Sequence, residues 1–145
     1  MSDTVPNALS TVIADFEKAP TLRSLQEKVD RLPISADAKS LLVDVARVTL
    51  EVGTKTIAFG RKILAIAIDL AAKFQTAVFG VIIALILSLV IATLPVLGSL
   101  MSALLTPIML AFGITMGSLA DFRNMAVQQD LEFLKQRMSI LAAHA

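Results

Sequence analysis

The residues whose types could carry chemistry are few, and their spacing does not assemble a reaction. The 145-residue chain holds one histidine, His144, next to last in the sequence, where a solvated imidazole is expected rather than a base or a metal ligand. It has no cysteine, which removes thiolate nucleophiles, thiolate metal sites and a disulfide framework. Gly53-Thr54-Lys55-Thr56 and Gly60-Arg61-Lys62 share the composition of a phosphate loop but not the GxxxxGK[ST] spacing. The acid pairs Asp15 with Glu17 and Asp130 with Glu132 lie two apart and diverge on a helix, so both pairs are expected as solvated surface. These observations predict a protein that is not an enzyme and has no cofactor and no metal. One weakly polar line remains: Ser102, Thr106, Met109, Gly113 and Gly117 could line a pore, with Met109 as its constriction. The competing reading satisfies the hydroxyls on their own helix's carbonyls. No charged ring is available to select ions or relay protons.

That line belongs to the dominant feature of the sequence. Residues 74–120 contain no Asp, Glu, Lys, Arg or His. A turn signal divides the run, Leu94-Pro95-Val96-Leu97-Gly98-Ser99, with Pro95 and Gly98 as its hinge residues. Each half has about 20 residues, the length an α-helix needs to cross a hydrocarbon core roughly 30 Å thick. The expectation is an all-α integral membrane protein with a two-helix transmembrane hairpin over 74–120: first span 76–94, turn 95–98, second span 99–119. Pro107 removes one backbone hydrogen bond from the second span and predicts a kink there.

Composition points the same way. The chain is 56 % hydrophobic and 17 % charged, against roughly 45–50 % and 25 % for soluble domains. A formal net charge of +1 offers no clustered basic face, so no nucleic-acid partner is expected. The turn has no basic residue, whereas Arg61, Lys62, Lys73 and Arg123 flank the run. The positive-inside rule then predicts a multi-pass protein of the cell inner (cytoplasmic) membrane with both termini cytoplasmic. The polar, acidic start Met1-Ser2-Asp3 lacks the basic and apolar regions of a secretory signal peptide, which leaves the hairpin as the expected targeting signal.

The flanks are charge-balanced and helical in pattern. Region 1–34 is predicted to hold short N-terminal amphipathic helices, one with Leu9, Val12, Ile13 and Phe16 at i, i+3, i+4, i+7, and one capped by Thr21 with Leu22, Leu25, Val29 and Leu32 on a face. Ser35 is expected to cap a long amphipathic or interfacial helix over 35–73 that carries a ribbon of Asp44, Arg47, Glu51 and Lys55 and bends at Gly53 and Gly60. Its remaining surface is so apolar that burial in an assembly or a membrane interface is expected. A C-terminal amphipathic helix is predicted over 121–145.

Small residues recur every four positions in both apolar segments. Gly80, Ala84, Ser88 and Ala92 make a smooth face on the first; Ala103 and Ala111 continue one on the second, with Gly113 and Gly117 as a GxxxG pair on an adjoining face. Helices in lipid associate through such surfaces. The two faces either pack within one hairpin or leave a spare face for a homo-oligomer. The leading expectation is a non-enzymatic protein that homo-oligomerises in the lipid bilayer and forms a pore or permeabilises the membrane. The alternative is a membrane-anchored scaffold or regulator whose cytoplasmic helices recruit a protein partner. A lesser alternative follows from an outline resemblance to colicin-type pore-forming domains, which keep a hydrophobic hairpin inside a sheath of amphipathic helices before it inserts.

Overall fold

The computed structural model describes residues 4–74, 79–114 and 128–144. Among them the chain is mostly helical, as expected. In order come α1 (Thr4–Glu17), α2 (Leu22–Asp30), α3 (Ala36–Ala46), strands β1 (Leu50–Val52) and β2 (Lys55–Ile57), α4 (Phe59–Phe74), α5 (Phe79–Thr93), a 3-10 turn (Pro95–Leu97), α6 (Gly98–Phe112) and α7 (Gln128–Ala142).

The predicted caps form. The Ser24 amide donates to Thr21 Oγ1 at 3.2 Å, and the Ala38 amide donates to Ser35 Oγ at 3.1 Å, each satisfying an otherwise unpaired N–H of a first turn. The apolar stripe of α1 is buried at Val12, Ile13 and Phe16, and that of α2 at Leu25 and Val29. Phe16 stacks on Phe59 with ring centroids 5.6 Å apart, which joins α1 to α4.

The long helix over 35–73 is overturned. Between α3 and α4 the chain makes an antiparallel hairpin with Leu50 opposite Ile57, Glu51 opposite Thr56 and Val52 opposite Lys55. The reason is local. From Val48 to Val52 buried and exposed residues alternate strictly, a period of two rather than 3.6, and the residues are largely β-branched. Gly53 opens the two-residue loop with φ +61°, the left-handed region that tight hairpin turns demand. Nothing lies within 4 Å of a Cβ built at Gly53, so a Gly53→Ala change meets only the backbone penalty. Equilibrium urea unfolding should show it about 1–2 kcal/mol less stable, and a wild-type midpoint would refute the turn's role.

The hairpin also dismantles the predicted charge ribbon: Lys55 pairs with Glu17 at 3.9 Å, across to α1. Much of the apolar surface of this segment is covered within the chain itself. Val45, Val48, Leu50, Val52, Ile57, Phe59, Ile63 and Leu64 are all buried in the protein's own core. That core is continuous from α1 to α7 and includes apolar residues of α5 and α6, so these two helices and the flanking ones share one interior.

Gly60 explains how α3 and α4 meet. A Cβ there would overlap the Val45 carbonyl oxygen and lie 3.0 Å from the Val48 amide nitrogen. The Gly60 N–H donates to the Val48 carbonyl at 2.8 Å, so the start of α4 is satisfied by the chain leaving α3. Gly60 is a contact point between backbones, not a bend.

Candidate functional site

Within the charge-free run, residues 79–112 fold as an antiparallel helical pair, α5 and α6, joined through the 3-10 turn at Pro95–Leu97. The turn falls where Pro95 and Gly98 predicted it. The two helices differ sharply in surroundings. α5 is interior: Phe79 to Leu87 and Val90 are buried, with α4, α6 and α7 packed around it. α6 lies outside, with Met101 and Ile108 buried beneath it and α3 along its flank. Val96, Leu100 and Leu110 are 65 %, 48 % and 77 % exposed, a run of large apolar side chains facing outward.

By length and composition one described span, Pro95–Phe112, could cross a membrane; α5 is a shorter apolar helix. At ~1.5 Å per residue its fifteen residues cover about 23 Å, less than the roughly 30 Å core. The second span does not run to 119 as one helix. Gly113, at φ +67°, ends α6: its amide donates to the Leu110 carbonyl and the Ile114 amide to the Met109 carbonyl at 2.8 Å, the paired bonds of a Schellman cap. Gly117, the other member of the expected GxxxG pair, lies outside the described residues. Pro107 sits inside α6 as expected.

The small-residue face of α5 is divided by its neighbours. Gly80 lets the hairpin close, because a Cβ there would stand 2.6 Å from Phe112 Cγ. Phe112 meets Phe79 edge-on at 6.0 Å. Ala84 is buried, Ser88 is half-buried and donates to the Ala84 carbonyl at 2.9 Å, and Ala92 is exposed. The serine is thus satisfied on its own helix. On α6, Ala103 is exposed and Ala111 half-buried, next to a groove of about 490 Å³ lined by Asp37, Ser40, Leu41, Pro107 and Leu110. Ser102 and Thr106 come together on the outer face, but Met109 packs against the core, so the three do not form one lining.

A second cluster was not visible in the sequence. Asp15, expected as solvated surface, is 36 % exposed and ties three helices: Lys62 Nζ of α4 donates to its Oδ1 at 3.2 Å, and Arg137 of α7 donates to its Oδ2. Arg137 lies over the Phe133 ring, 4.6 Å from the centroid. Sequence separations of 47 and 122 residues hide such a constellation from any local pattern. Among the described residues no group of three or more His, Cys, Asp or Glu could hold a metal ion. The sequence matches no family model, and comparisons with curated proteins and with solved structures likewise gave no match.

Proposed function

We propose that this protein is a non-enzymatic, membrane-inserting protein. Its α5–α6 hairpin leaves a sheath of charged helices, enters the cytoplasmic membrane and self-associates there to permeabilise it. The observation that carries this reading is the asymmetry of the charge-free hairpin. One helix is enclosed by α4 and α7, which turn Asp69, Glu132 and Lys135 to solvent. The other already presents Val96, Leu100 and Leu110 to the outside. A run of 47 residues without a charge meets the bilayer's main energetic objection, since one Lys or Asp at a span's centre costs about 2.5–3.5 kcal/mol. The turn at 95–98 carries nothing that resists translocation, and the basic flanks hold both ends on the cytoplasmic side.

Liposomes loaded with a self-quenching dye test this directly. Added protein should release the dye and then resist alkaline extraction from the vesicles. Intact vesicles with extractable protein would overturn the reading.

The scaffold reading draws on a different observation, the open groove of about 810 Å³ between α1 and α7, floored by Val12 and Ile140 and edged by Phe133, itself 60 % exposed. Replacing the hairpin with an unrelated two-helix anchor separates the readings: a scaffold keeps its activity and a permeabilising protein loses it.

A further inference from the structure

We propose that Asp15 is a clasp that holds α7 over α5, and that its release uncovers the apolar helix. The clasp is a property of the folded chain; its purpose as a gate on insertion rests on the function proposed above.

Three observations converge. First, the carboxylate sits where α1, α4 and α7 meet and gives one oxygen to each cation, with Lys62 and Arg137 only 20 % and 19 % exposed. Partial burial makes these pairs stronger than exposed ones, and the loss of the acid would leave two partly desolvated cations confronting each other. The neighbouring Lys55–Glu17 pair, at 61 % and 50 % exposure, adds little.

Second, Arg137 depends on this acid. Among the described residues its Nε is the buried side-chain nitrogen without a hydrogen-bond partner. An arginine already short of one bond, resting on an aromatic face, loses its charged acceptor if Asp15 goes.

Third, the seat of α7 on α5 is open along one edge. Leu131, Leu134, Met138 and Leu141 are buried. Yet the seam between Leu85, Ser88, Leu89 and Ala92 on α5 and Leu131, Glu132 and Lys135 on α7 holds about 280 Å³ of open space. That space is a groove open to solvent beside the exposed Ala92, Glu132 and Lys135, so the seam is wetted along one edge. The end of α7 adds one long backbone bond, from the Gly53 amide to the His144 carbonyl at 3.3 Å. A helix seated along a seam with one wetted edge and tied to α1 through Asp15 can detach as a unit while the rest of the core stays folded.

The absence of native cysteine makes the test clean. Ser88→Cys places a near-isosteric thiol in the seam, half-buried with α7 seated, so that lifting α7 raises its reactivity toward a maleimide. Leu42→Cys, fully buried on α3 away from the seam, reports global opening. Combining Asp15→Asn with Ser88→Cys should raise the labelling rate about tenfold while labelling at Leu42→Cys stays slow. Asp15→Glu should restore part of the protection. An unchanged rate at position 88, or an equal rise at positions 88 and 42, overturns the clasp. Dye release is read separately: Asp15→Asn should leak faster than wild type. Faster labelling without leakage from either protein keeps the clasp and removes the membrane function.

Discussion

Gly60→Ala should lower the unfolding free energy by ~3 kcal/mol or more, a large fraction of the 5–15 kcal/mol that stabilises a typical domain. The added methyl overlaps the Val45 carbonyl and crowds the Val48 amide, both backbone atoms, so no rotamer change relieves it. The start of α4 must move away from the end of α3, which stretches the 2.8 Å bond from the Gly60 amide to the Val48 carbonyl. It also pulls Phe59 from its stack on Phe16. Urea unfolding followed by circular dichroism checks this, with Gly53→Ala as a milder neighbour. A Gly60→Ala protein within 0.5 kcal/mol of wild type would show that α3 and α4 do not cross here, on the scale of ordinary surface changes.

Ala103→Lys should leave stability almost untouched and abolish most membrane activity. In the folded protein Ala103 is exposed on the outer face of α6, where lysine is a good helix former and needs no partner. In the inserted hairpin the same position falls at the middle of the candidate span Pro95–Phe112. A lysine there costs about 3 kcal/mol, which lowers the inserted population and the initial leakage rate on the order of 100-fold. Ala103→Leu, similar in bulk but uncharged, should leak like wild type. Equal leakage from the lysine variant would mean that α6 never enters the hydrocarbon core. The contrast is informative because one residue is surface in one state and interior in the other.

The division between what local pattern reveals and what folding decides follows from the reach of each interaction. Thr21 and Ser35 were legible as caps because a cap acts within three residues. The turn at Pro95 was legible because proline and glycine restrict the backbone wherever they stand. The strands at Leu50 and Lys55 are equally local, but the spacing of the charges predicts a helix bent at Gly53, although apolar and polar residues alternate with a period of two from Val48 to Val52. That miss was one of choosing the wrong period.

Other features lie beyond any window. Gly60 looks like any helix-weakening glycine until the Val45 carbonyl, fifteen positions earlier, is found against it. Asp15 looks solvated until Lys62 and Arg137 arrive from two other helices. Gly113 has the spacing of a packing motif with Gly117, yet its left-handed backbone caps α6.

By itself the sequence determined that the chain is mostly helical, that residues 74–120 carry no charge, and that a turn divides them at Pro95. Each follows from residue type and short-range spacing. Only the tertiary structure decided which half of that run is enclosed. α5 is covered because α4 and α7 bring apolar faces to it from both sides in sequence, while Leu110 on α6 and Val96 in the turn stay outward, with α3 and α5 the helices packed most extensively on α6 among the described residues. Apolarity fixes that a segment favours leaving water; which neighbours arrive to cover it depends on contacts between residues far apart in the chain.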